Sequence, residues 1–191
     1  MATYLALALL LGAVVWLAWT WNRLVALRAA IRAAWASIDA LLKRRTDLVP
    51  NLVAVVRGYM DHEADTLRQV VHARTSAIAA SETPGDVHAR ERAEELLTRS
   101  VRQLFALVES YPELRADARI LAFQQELVET EDDIAMARRY YNAVVRDYNI
   151  LRETFPTLLV ATPFGFREER YFELSSPAEG AVPQADLGGE P

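Results

Sequence analysis

The chain has 191 residues, is 52% hydrophobic, contains no cysteine, and carries 21 Lys+Arg against 26 Asp+Glu for a net charge of -5. That length holds one domain with an anchor and a tail, and the mild negative balance provides no basic field to hold nucleic-acid phosphates. The absence of cysteine excludes a disulfide framework, a thiol nucleophile and Cys-ligated zinc.

In chain order, the first element is an apolar run. Met1 to Asn22 carries no charged side chain, and Tyr4 to Trp21 is almost wholly apolar, close to the ~20 residues a helix needs to cross hydrocarbon. A cleaved signal peptide places Lys or Arg ahead of a shorter apolar core; no basic side chain precedes this core, so residues 1–22 are expected to remain as a transmembrane anchor. Trp16, Trp19 and Trp21 mark a water interface at its end, and Arg23, Arg28 and Arg32 follow at once. The positive-inside rule then puts the N-terminus outside and the remainder in the cytoplasm.

Past the anchor, Leu24, Leu27, Ile31, Ala34, Ile38, Leu41, Arg45, Leu48, Leu52, Val55 and Tyr59 are spaced alternately three and four apart, the coiled-coil stripe of a packed helix. Pro50 falls inside this stripe and is expected to kink or restart the helix, with Asp47 as a cap for the restart. The helical pattern continues to about Ala80 and breaks at Thr83-Pro84-Gly85-Asp86. A third helix runs from about His88 to Glu109 and stops at Tyr111-Pro112, because the residue before proline is pushed out of the helical region. A fourth begins near Asp117 and is the longest: Ile120, Leu127, Ile134, Tyr141 and Tyr148 repeat every seven residues, interleaved by Phe123, Thr130, Ala137, Val144 and Leu151. Phe155-Pro156 closes it. An aromatic stretch follows to Glu173, and a Pro/Gly/Ala-rich tail, residues 175–191, is expected to be disordered.

Pro50 and Pro112 lie nearly equally far from the turn at Pro84-Gly85. If both are folding points, the chain is an all-α four-helix up-and-down bundle over residues 23–174; if both are kinks, it is a long two-armed hairpin. The bundle is preferred, because two lone arms leave much apolar surface wet. Either way the last helix ends at the membrane side, and Phe155, Phe164, Phe166, Tyr171 and Phe172 are expected to dock there, on their own domain or on an adjacent copy. Gly165 lets the chain turn sharply enough to aim two phenylalanine rings at one surface.

These residues resemble the LemA family. The matching stretches include Asn22-Arg23-Leu24-Val25-Ala26-Leu27-Arg28, Ala34-Trp35 with Ile38-Asp39, and Leu42-Lys43-Arg44-Arg45-Thr46-Asp47-Leu48-Val49-Pro50-Asn51-Leu52-Val53. Further along come Glu109-Ser110-Tyr111-Pro112-Glu113-Leu114, Tyr141-Asn142 with Tyr148-Asn149, Phe164-Gly165-Phe166 and Tyr171-Phe172-Glu173. The resemblance implies a bacterial inner-membrane protein with a single N-terminal span, a cytoplasmic helical bundle and no established catalytic activity. Some relatives organise specialised bacterial membranes.

No constellation specifies chemistry. The residues three before His62, His72 and His88 are Tyr59, Gln69 and Gly85, which excludes the Glu-x-x-His arrangement of di-metal bundles. Phosphate-loop, GxSxG and zinc-helix motifs are absent from the sequence, so no catalytic, metal or cofactor residue is assigned. Arg45 stands in the apolar stripe, and a buried guanidinium requires a carboxylate; Asp47, Glu109 and Glu131 are the candidates. With Glu131, Arg138, Tyr141, Asn142, Tyr148 and Asn149 it forms a candidate polar layer that sets register. The expected function is a non-enzymatic, membrane-tethered scaffold whose partners are lipid, further copies of itself and possible membrane proteins, but not nucleic acid. The alternative is a sensor subunit of a neighbouring protease or transporter, in which Arg138, Asn142 and Asn149 bind a small anion or peptide.

Overall fold

The structure, a computed structural model, describes residues 1–60, 63–82 and 87–172. Among these residues it is all-helical and contains no strand: α1 (Ala2–Arg57), α2 (Ala64–Ser81), α3 (Val87–Val108), α4 (Pro112–Arg115), α5 (Ala118–Glu153) and α6 (Leu158–Ala161). The tail expected to be disordered and the turn at Thr83 to Asp86 lie outside the described residues, as does His62.

The apolar run and the first helix of the body are one continuous helix. Residues 2–19 of α1 bury no side chain against the rest of the chain, and this stretch is long and apolar enough to cross a membrane by length and composition. From Leu24 onward α1 packs along α5, which brings the end of α5 back beside the start of the body; α2 packs along α3 and also against α1.

Pro50 is neither a fold nor a restart, because it lies within α1. Its missing N–H frees the carbonyl of Thr46, four residues earlier, and Arg74 of α2 donates Nε–H to that oxygen at 2.9 Å. The vacancy that normally breaks a helix is filled by a neighbouring helix. With no restart, Asp47 caps nothing. The chain instead leaves the helix at Gly58-Tyr59, so the pattern read as running unbroken to Ala80 is two helices.

The buried stripe of α1 also departs from the heptad reading. It follows Leu24, Leu27, Ile31, Ala34 and Ile38 as expected, then moves one position, to Leu42, Val49 and Val56 rather than Leu41, Leu48 and Val55. A strict seven-residue repeat drifts ~20° per heptad around a straight helix, so keeping one face of α1 buried requires this step forward by one position. Tyr59 lies past the helix and is exposed.

Among the described residues two apolar cores result. The distal one joins Val49, Leu52, Val56, Val70, Leu97, Leu104, Leu114 and Ile120 across α1 to α5. The other, nearer the apolar run, joins Leu24, Ile31, Ile38, Ile134, Tyr141, Val145 and Tyr148 with Ala161, Phe166 and Phe172.

Asp117, near which the fourth helix is expected to begin, is the N-cap of α5. Its carboxylate accepts from the Arg119 backbone N–H at 2.8 Å and from the Arg119 guanidinium at 2.7 Å. The Arg119 side chain, then its backbone N–H, hold this carboxyl down at about 2 against an ordinary 3.8. A lowered carboxyl contributes stability that is present above 3.8 and is lost as the pH falls toward 2. The melting deficit of Asp117→Ala should therefore shrink as the pH falls through that window, and a pH-independent deficit would contradict the cap.

Candidate functional site

Arg45 lies between the two cores and is 1% exposed. Its Nη1 donates to Glu131 Oε1 at 2.6 Å and to Thr98 Oγ1 at 2.8 Å, and its Nη2 donates to the Glu94 carboxylate. Of the three expected carboxylate partners, Glu131 is correct, whereas Asp47 and Glu109 are not bonded to it. Glu94 was not anticipated, although the signal was present. It continues the α3 stripe of Leu97, Val101, Leu104 and Val108 by one more turn, so it is a charge in an apolar row, as Arg45 is.

The surroundings of this pair are charged and compact. Arg90 pairs with Asp39 and stacks over Trp35 at 5.5 Å, while Arg138 stacks over Phe172 at 4.7 Å. Burial pushes the Glu94 carboxyl up, opposed by Arg45, Arg90 and Arg138. Burial lowers Arg138, reinforced by the like charge of Arg45.

Tyr141, Asn142, Tyr148 and Asn149 do not join this ionic cluster. They form a clasp on the backbone of residues 167–172. Asn149 donates Nδ2–H to the Glu169 carbonyl at 2.8 Å and accepts from the Glu169 N–H at 3.0 Å. Asn142 makes the same two bonds to Phe172, at 3.0 and 2.9 Å. Tyr148 donates to the Arg167 carbonyl and Tyr141 to the Arg170 carbonyl, each at 2.9 Å.

The spacing has a simple origin. Seven residues of helix advance about 10.5 Å, and three residues of extended chain advance about 10 Å. A Tyr-Asn pair repeated at seven therefore meets an antiparallel segment repeating at three. Burial raises both phenols, so they remain protonated donors. Replacing Asn142 and Asn149 by alanine removes the partners of both backbone N–H groups and should cost about 1–3 kcal/mol for each group left unsatisfied, read as faster amide exchange at Glu169 and Phe172. Unchanged exchange there would contradict the clasp.

The expected docking segment divides. Phe166 and Phe172 are buried, whereas Phe155, Phe164 and Tyr171 are exposed. Gly165 has φ +72°, a conformation open to glycine, and it places both flanking rings edge-on to Trp21, Phe164 at 5.1 Å and Phe166 at 5.2 Å. Phe172 packs at 5.6 Å from Trp35, which also meets Tyr141 at 5.5 Å. The segment docks on its own domain.

A helix whose apolar third stands free of the protein, long and apolar enough to cross a membrane, and whose remainder runs straight into a helical body points to a membrane-associated, all-helical protein. Residues 34–186 match the model of the LemA family. The chain belongs to that family. It is similar to the Magnetosome proteins MamQ 1 and MamQ 2 of Paramagnetospirillum magneticum, 24% identical over 175 residues, which cover 80% of this chain and 64% of each relative. It is also similar to Protein LemA of Metamycoplasma hominis, 28% identical over 157 residues, 81% of this chain and 69% of that protein. The chain thus spans less than two thirds of the length of the MamQ relatives.

Proposed function

We propose that the protein is a non-enzymatic, membrane-tethered scaffold, a coiled-coil-like four-helix up-and-down bundle over residues 23–174 that self-associates beside the bilayer or holds a membrane partner there. The observation that carries this reading is the continuity of α1 from Ala2 to Arg57. One helix fixes the body rigidly to its anchor, so anything gripping the body is held at a set height above the lipid. The Tyr-Asn pairs of α5 engage the chain's own backbone, which favours a structural role for them over ligand sensing.

An exposed row on α5 that alternates apolar with polar or charged side chains supports self-association. Leu121, Val128, Met136 and Ile150 are all exposed, and at 100° per residue they fall within roughly 80° of the helix circumference, interleaved there with the exposed Gln125, Asp132, Arg139 and Arg146. Copies anchored in one bilayer present this row at one height.

The scaffold is oriented with its N-terminus outside and its body in the cytoplasm, from the tryptophan belt and basic flank. The chain has no cysteine, so single cysteines at Ala2 and at exposed Val71 of α2 can each be tested with a membrane-impermeant maleimide on intact cells. Labelling at Ala2 and not at Val71 is expected; the reverse pattern would overturn the orientation. Arg138→Ala should lower stability and leave bound partners unchanged, whereas lost partners with unchanged stability would favour a sensor.

A further inference from the structure

Beside α1, where it would leave the lipid, lies the turn around α6. Residues 154–166 contain no charged side chain, the longest such run outside the N-terminal one. Their inward face is accounted for: Thr157, Val160, Ala161 and Phe166 are buried, and α6 packs against both α1 and α5. The outward face is apolar as well. Phe155 is 75% exposed, Leu159 64% and Phe164 57%, with Leu158 beside them. A helical turn that is apolar all round is expected inside a core or in lipid, not in water.

The height of this turn identifies its surroundings. Phe164 stacks edge-on against Trp21. About 20 residues cross the hydrocarbon, and the headgroup layer adds roughly 6 Å on each side, some four residues of helix. With the span ending near Trp21, the stretch from Trp21 to Val25 occupies the headgroup layer, and whatever packs beside it shares that layer. Trp21 and Val25 are themselves partly open to the outside on the same level.

We propose that the turn around α6 is a second membrane contact, with Phe155, Leu158, Leu159 and Phe164 inserted into the headgroup layer of the leaflet through which α1 leaves the bilayer. The protein is then held at two points, which fixes its rotation about the α1 axis as well as its height. The occupant is the lipid surface, since α1 carries the patch to it in every copy, whether or not copies associate. This proposal rests on the anchored reading of α1, and the test separates the two.

The full chain with one introduced cysteine, Leu159→Cys or Phe155→Cys, is labelled with an environment-sensitive fluorophore in vesicles of phosphatidylethanolamine and phosphatidylglycerol. Val14→Cys in the span and Val71→Cys on α2 serve as references. Nitroxide lipids should remove most of the emission at 159 and 155, as at 14, and iodide should quench both several-fold less than at 71. Iodide access at 159 and 155 with lipid quenching retained at 14 would overturn the second contact and leave the anchor standing. Shielding from iodide without lipid quenching would mean that a second copy covers the patch, and would also overturn it. Loss of lipid quenching at 14 would overturn the anchor and the proposal together.

Discussion

Replacing Arg45 by methionine should lower the melting temperature of the detergent-solubilised chain by roughly 6–20 °C, from a loss of about 3–5 kcal/mol at 2–4 °C per kcal/mol for a chain of this size. The loss arises mainly from what remains behind. Glu94 is 2% exposed and keeps its carboxylate between α1 and α3, with Arg45 no longer there to oppose its burial. The pH dependence follows from the direction of its shift. A carboxyl raised above its ordinary 4.5 withdraws stability as the pH climbs through its folded value, and returns it below 4.5 where both states are protonated. Removing Arg45 raises Glu94 further, so the deficit of the variant should narrow as the pH falls toward 4.5. Replacing Arg45, Glu94 and Glu131 together by Met, Leu and Leu should recover most of the loss, because a well-packed apolar set is often no worse than a buried ion pair. A single variant that melts like the wild type would show that the cluster is solvated and not structural.

The second large effect concerns the C-terminal segment. Phe166 and Phe172 are buried against Trp21 and Trp35, with Arg28 and Arg138 over their rings. Truncating a buried phenylalanine to alanine costs about 3–5 kcal/mol, and this segment can open without unfolding the helices it lies on. The expected result is tryptic cleavage at Arg167 and Arg170 faster by roughly 100-fold or more for each ring, at 1.4 kcal/mol per tenfold, when opening is rapid relative to cleavage. Phe164→Ala should change the detergent-solubilised protein by no more than about tenfold, the size of one aromatic pair, because its ring is largely exposed. Equal sensitivity at 164 and 166 would contradict the division of the segment into inner and outer faces.

Much of this architecture was legible in residue spacing. The seven-residue repeat from Ile120 to Tyr148 placed α5 nearly to its ends, and Asp117 and Pro156 marked where it starts and stops. Spacing reports which side chains share a face, but not what covers that face. Hence Tyr141, Asn142, Tyr148 and Asn149 read as a layer between helices, whereas their partner is backbone with no periodic signal of its own. Pro50 misled for a related reason: a proline rule is local, and the donor that rescues the freed carbonyl sits 28 residues away, on Arg74. The charge of Arg45 in an apolar stripe correctly implied a buried carboxylate. Applying the same logic to α3 would have named Glu94 beside Glu131.

The claim that this protein is a scaffold is tested most directly by its mass in the membrane. Native nanodiscs excised from the bilayer with the full chain in place, weighed by mass spectrometry and checked by crosslinking, report what the 21.5 kDa chain is bound to. The expected result is a defined assembly heavier than one chain, built from several copies or from this chain with a membrane protein, and weakened by Val128→Glu with Ile150→Glu on the exposed row of α5. A particle holding one copy and nothing else, at every expression level, would contradict the account.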